Sequence, residues 1–170
     1  ITELCLPYLV EAGLADQETP ISSLSKIISL YQERLKKLSE ITELVDFFLK
    51  DKIEYDGGLL KWKEMTDGEI KESLEKLKKL ISDIEEGNWT KEALEKIIMP
   101  EAEKAGDRGR LLWPLRVALS GKKASAGPFE IAEILGREKT LNRLSEAENK
   151  LAKRTSSSSS SSSRVAGLDP

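Results

Sequence analysis

Apolar residues in this chain return every three or four positions, and nearly every such run is bracketed by helix start and stop residues. That period lays a stripe along an α-helix and cannot share one face of a strand, so it commits the chain to helices. One run begins at Thr19, a capping residue ahead of Pro20. It continues with Ile21, Leu24, Ile27 or Ile28, Tyr31, Leu35 and Leu38 at helical steps. Thr66-Asp67-Gly68-Glu69 reads as a capping box opening a helix that turns Ile70, Leu74, Leu77, Ile81 and Ile84 inward before Gly87. The spacing also predicts a short helix from Thr2 to Glu11 around Pro7, and one capped by Ser39 that runs to about Lys50. Asp56-Gly57-Gly58 interrupts the pattern there. Thr90 is set to cap another helix, which Pro100 should disturb and Gly106 end. β-branched runs are scarce. The expected architecture is all-α, a bundle of about eight or nine helices with short connections. It divides into two packed subdomains, residues 1–99 and 100–154.

Composition narrows the chemistry. The 170 residues contain no His and one Cys, so a Cys/His zinc site, a His-based triad and an internal disulfide are all excluded. Carboxylates are plentiful, yet no pair stands out from helix-surface charge as an acid/base couple. No apolar stretch approaches a membrane span, and the N-terminus carries no basic region followed by an apolar core. A cytoplasmic protein is the expectation, and the opening Ile suggests a piece of a longer one. Residues 155–170 hold eight consecutive serines, Ser156 to Ser163, and are expected to form a flexible tail that is a scar of fusion or sequencing.

Charge is uneven. Residues 1–100 carry 14 Lys+Arg against 21 Asp+Glu, a balance of −7, whereas residues 101–154 carry 12 against 8, a balance of +4. A basic excess of that kind suits phosphate contact. It coincides with Trp113 to Gly136, WPLRVALSGKKASAGPFEIAEILG. There a helix carrying Arg116 stops at Gly121, a Lys/Ala/Ser/Gly loop follows, and a second helix starts at Pro128 and stops at Gly136.

This segment resembles the PLRxALTGxxxxPGLFExLxLLG signature near the C-terminus of bacterial-type glutamyl-tRNA synthetases. Three further blocks resemble the same family in the same order. ITELCLPYLVEAGL is similar to LAxxxxPYLxEAGL, and YQERLKKLSEITELVDFFL is similar to QxRxKTLxELxxxxxFFF. NWTKEALEKIIMPEAEKAG is similar to WTxExLxxxLxxxAExxG, and the C-terminal signature itself runs on through ILGREKTLNRL, like LLGKExxLxRL. Together they cover most of residues 1–152. The resemblance implies an anticodon-binding region of a glutamate–tRNA ligase. The partner would be the anticodon arm of tRNA(Glu), with no DNA or membrane partner and a monomeric state. ATP and Mg²⁺ would serve the parent's catalytic half, whose HIGH-like and KMSKS-like motifs do not occur here. This chain would hold no cofactor, no metal and no catalytic residue.

The family's reading positions transfer one at a time. The arginine ahead of the KTL-like triplet corresponds to Arg34, and in the family it reads the third anticodon base; Lys37 stands where threonine is usual. Enzymes that also charge glutamine tRNA usually lack that arginine, so Arg34 favours a glutamate-only enzyme. The arginine of PLR is Arg116, and Ser125 and Pro128 are the loop positions that enclose the first anticodon base with it. Ser125 keeps the hydroxyl of the usual threonine. Pro128 replaces a leucine, retaining an apolar face but no amide donor. Lys122 and Lys123 suit phosphate attraction without base choice. A guanidinium presents a rigid fork of donors to an unstacked base edge, which is why arginine fits the task.

Taken without the family, the same residues read more plainly. An exposed arginine on a charged helix usually just keeps that face in water, Arg116 can pair with Glu130, and two loop lysines are usually solvated. Trp62, Trp89 and Trp113 could stack on bases, but their places beside helix starts favour core or cap packing, as for Phe47, Phe48 and Phe129. Cys5 reads as an inert buried thiol. A non-catalytic helical protein-interaction module stands as the alternative function.

Overall fold

The computed structural model describes the backbone of residues 1–167 and the side chains of residues 1–154. Eight α-helices follow one another: α1 (Thr2–Glu11), α2 (Ile21–Ser29), α3 (Ile41–Leu49), α4 (Asp67–Ser82), α5 (Lys91–Lys104), α6 (Gly109–Ser120), α7 (Pro128–Leu135) and α8 (Arg137–Gly167). Short 3-10 turns lie at Leu38–Glu40, Gly57–Leu60 and Glu86–Asn88, and no strand occurs among the described residues. The all-α expectation holds.

Local chemistry accounts for the helix starts. Thr66 accepts from the Glu69 amide at 3.2 Å while the Glu69 carboxylate accepts from the Thr66 amide at 2.8 Å, so the predicted capping box closes. Thr90 accepts from the Ala93 amide at 3.2 Å and opens α5. At the start of α6, Gly109 lies beneath Trp62, where a Cβ would come 2.1 Å from Cε2 of the indole. Only glycine allows that approach.

Packing gathers α1, α2 and α3 into one group. A second group consists of the Gly57–Leu60 turn with α4 to α8, in which α4 lies against α6 and α8, and α5 against α7. α3 joins the groups by touching α6 and α7, and one apolar core runs through both.

Several expectations are corrected. The boundary proposed at residue 99 falls inside α5, which continues through Pro100, and the seam in the packing lies instead between α3 and Gly57. Proline removes one backbone donor, but Pro100 is on the exposed face, while Leu94, Ile98 and Ala102 stay buried on either side of it. The long helix expected from Pro20 to Leu38 stops at Ser29. There the Ser29 hydroxyl donates to the Lys26 carbonyl at 2.8 Å, and the Arg34 and Leu35 amides both close onto the Tyr31 carbonyl at 2.8 and 3.1 Å. These bonds satisfy the backbone in a tight turn, so nothing compels a longer helix. Thr19 does not cap α2 but closes the preceding loop on Asp16. The backbone of α8 is helical as far as Gly167. Residues 168–170 lie outside the described residues.

Candidate nucleic-acid interface

The turn after α2 exposes Arg34, and α6 holds Arg116 half-buried at mid-length. α6 ends at Gly121 with φ +68°, a left-handed conformation in which a Cβ would also meet the Tyr55 ring at 3.2 Å. The Ser120 hydroxyl stitches this end, donating to the Arg116 carbonyl at 2.7 Å and accepting from the Lys122 amide at 3.1 Å. The chain then loops back through residues 121–127 to α7, which opens with Pro128 in its first turn.

That loop brings the two arginines together. Nη1 of Arg34 donates to the Ser125 carbonyl at 3.3 Å, and Nη1 of Arg116 donates to the same oxygen at 3.4 Å. Both bonds are long and both guanidiniums retain further donors. Neither arginine takes part in an ion pair among the described residues; Glu130, the rival partner for Arg116, pairs with Lys91 at 3.0 Å. Next along the loop, the Ala126 amide donates to the Tyr31 hydroxyl at 3.2 Å. Tyr31 is 1% exposed and packs edge-on against Phe48. Burial pushes its hydroxyl above the usual tyrosine range, outweighing the Ala126 bond and the nearby Arg34 and Arg116 charges. It therefore stays a neutral acceptor at pH 7.

The other expected site residues lie as follows. Ser125 is half-buried and its hydroxyl donates to the Ala126 carbonyl at 2.9 Å. Pro128 is buried in the first turn of α7, which leaves it almost no face to offer a base. Lys122 turns inward: its ammonium pairs with Asp46 at 2.7 Å, donates to the Glu43 carbonyl and lies over the Phe47 ring at 5.4 Å. Lys123 is exposed, with no side-chain partner among the described residues.

Much of the basic excess proves to be structural. Arg143, 1% exposed, donates to the Leu119 and Phe47 carbonyls and to the Lys50 carbonyl at 2.8 Å. Arg137 donates to Ile84 and Ser82 carbonyls at 3.0 and 3.1 Å, and Lys139 to the Phe48 carbonyl at 3.0 Å. These oxygens belong to the C-terminal ends of α3, α4 and α6, where unpaired carbonyls and the helix dipole attract cations. Arg143 was missed at the sequence level, although its phase with Thr140, Ala147 and Leu151 places it on the buried face of α8. Tyr31 was assigned to the core, and no pattern announces the use of its hydroxyl.

The tryptophans satisfy their donors internally, on Asp107 (Trp62, 3.1 Å), Ala132 (Trp89, 2.9 Å) and Leu59 (Trp113, 2.9 Å). Trp62 and Trp113 also pack together at 5.3 Å. Cys5 is fully buried, and burial pushes its thiol up. The packing expected of all four is observed.

An all-α module with two arginines converging on one interhelical loop is thus the class that the geometry defines. A family model described as "Anticodon binding domain" matches residues 1–148, and the chain belongs to that family. It is 37% identical over 145 residues to a glutamate–tRNA ligase of Herpetosiphon aurantiacus, a match covering 83% of this chain and 29% of that protein. It is 40% identical over 146 residues to a glutamate–tRNA ligase of Clostridium tetani, covering 84% and 28%. A crystal structure of a glutamate tRNA ligase from Elizabethkingia meningosepticum in complex with its amino acid shares the fold. The TM-score is 0.70 at 24% identity, covering 88% of this chain and 29% of that one. The chain spans less than a third of the length of each of these proteins.

Proposed function

We propose that this chain grips the anticodon arm of tRNA(Glu) as a monomeric part of a cytoplasmic glutamate–tRNA ligase. In that enzyme a separate catalytic portion joins glutamate to the tRNA with ATP and Mg²⁺. The observation that carries the reading is the convergence of Arg34 and Arg116 beside the 121–127 loop, with donors to spare and no carboxylate paired with either among the described residues. Splayed anticodon bases expose edges that a guanidinium fork can pair, Arg116 and Ser125 at the first base and Arg34 at the third. Each bidentate contact is worth roughly 1–3 kcal/mol of discrimination. Lys123, exposed at the loop tip, serves phosphate attraction; Lys122 and Pro128 support the loop instead. Among the described residues no helix is long and apolar enough to cross a membrane, which accords with this setting.

The test is binding of a glutamate anticodon stem-loop against a scrambled loop across a salt series. Affinity should fall as salt rises. Arg116→Ala should weaken binding about tenfold or more, with its largest effect on first-base preference, and Arg34→Ala should act mainly at the third. Equal affinity for the scrambled loop would reduce the site to nonspecific basic attraction. Absence of RNA binding at low salt would overturn the reading.

A further inference from the structure

Arg34 and Arg116 lie far apart in sequence but share one acceptor, and that sharing has physical consequences. A carbonyl oxygen offers two lone pairs, so it can accept from both guanidiniums at once. Each cation then lies within hydrogen-bond reach of the same oxygen, at 3.3 and 3.4 Å. Moving either arginine onto a base changes the field and the hydrogen bonding felt by its neighbour. The carbonyl itself is held in place from behind. The next amide, Ala126, donates to the buried Tyr31 hydroxyl, and Ala126 is 1% exposed. Tyr31 also accepts, through its own carbonyl, the Arg34 amide at 2.8 Å. One residue therefore anchors both the loop that presents the acceptor and the turn that presents Arg34.

We propose that the Ser125 carbonyl, fixed by the Tyr31–Ala126 hydrogen bond, couples the two arginines so that the first and third anticodon bases are not read independently. Tyr31 is then a positioning residue for base discrimination. In the free chain the carbonyl is a stand-in for a base acceptor, holding both forks aimed at the same side of the loop. On binding, each fork gives up a long bond of 3.3 or 3.4 Å for a base edge. The first exchange leaves the carbonyl wholly to the other arginine, so the second exchange proceeds from a different starting state.

This inference rests on the anticodon reading above, and its failure is separable from the failure of that reading. Stem-loops carrying a single change at the first or the third base are titrated against the unmodified chain, Arg34→Ala, Arg116→Ala, the double variant and Tyr31→Phe. Groups in one hydrogen-bond network are non-additive, so the double variant should depart from the product of the single effects by about threefold or more. Each single variant should also disturb preference at the other's base. Tyr31→Phe keeps the ring in the core but removes the acceptor, and should lower discrimination at both positions together. A merely structural role would weaken all loops equally. Independent of RNA, amide exchange at Ala126 should speed by about tenfold or more in Tyr31→Phe, with loss of one hydrogen bond. Additive single effects, confined to one base each, would overturn the coupling and leave the proposed function intact. Unchanged Ala126 exchange would overturn the role of Tyr31. Loss of discrimination in the unmodified chain, with exchange responding as expected, would overturn the function and leave the intramolecular clamp standing.

Discussion

Arg137, Lys139 and Arg143 near the start of α8 and the pair Arg34 and Arg116 beside the 121–127 loop are the same residue types in opposite company. The α8 set is spent on backbone carbonyls at the ends of α3, α4 and α6, at 2.8 to 3.1 Å where the bonds are of ordinary length. The loop pair holds one oxygen between two guanidiniums at 3.3 and 3.4 Å. In the first region the cations complete helices that would otherwise end in unpaired acceptors. In the second, donors remain open. Net charge along a sequence cannot separate these roles, because it counts ammonium and guanidinium groups without counting what they already hold.

The largest expected effect lies on the structural side. Arg143→Leu strands the Leu119, Phe47 and Lys50 carbonyls, and each buried unpaired acceptor costs about 1–3 kcal/mol. A loss of roughly 3 kcal/mol or more in urea unfolding is expected, about 1 for each stranded acceptor at the least; a loss below about 1 kcal/mol would erase the contrast between the two regions. Arg116→Ala should show the reverse profile, with impaired RNA discrimination and a unfolding free energy changed by less than about 1 kcal/mol, since its bond to Ser125 is long and half-exposed.

The adjacent lysines sharpen the comparison. Lys122→Met should lower stability by about 1 kcal/mol through the lost Asp46 pair and leave the salt dependence of RNA binding nearly unchanged. Lys123→Met should leave unfolding untouched and reduce the salt slope by about 0.7, the share of one single-strand phosphate contact. An exchanged pattern would reassign the two side chains.

The smallest effect is one of pH. Burial pushes the Asp46 carboxyl up, but the hydrogen bonds and charges of Lys122 and Lys50 outweigh it and leave it below its usual value. A depressed folded value means that its stabilisation is present above the unfolded pKa, near 3.9, and is lost as pH falls through the lower folded value. Asp107, held down to about 2 first by the Lys63 bond and then by Trp62 and the Gly109 amide, behaves alike. Urea midpoints should therefore decline below about pH 4, and the decline should be shallower in Asp46→Asn. An unaltered slope would show that Lys122 does not lean on Asp46 in solution.

Features written in short-range chemistry were legible in the sequence. The Thr66 box, the Thr90 cap and the Gly121 stop depend on residues within a turn of one another, and each forms as read. The family pattern singled out Arg34 and Arg116, and the structure brings both to the Ser125 carbonyl. Features decided by distant packing were not. Apolar spacing continues from Ile21 to Leu38, but the chain leaves the helix at Ser29 into a tight turn closed on the Tyr31 carbonyl, and Tyr31 in turn holds a loop 95 residues away. Pro100 carries a strong local signal that the buried stripe of α5 overrides. Pro128 retained the apolar character of a base-contacting residue, yet its position in the first turn of α7 points it into the core.

Arg143 grasps α6 through Leu119 and the end of α3 through Phe47 and Lys50, so it sets the spacing between the helix bearing Arg116 and the segment that follows the Arg34 turn. Arg143→Lys keeps a cation there but cannot span three oxygens. Such a change is expected to let that spacing drift and, if the proposed function holds, to leave tRNA captured while wrong anticodons are tolerated more often. On the proposed reading, anticodon discrimination would then depend on a side chain buried beneath the surface.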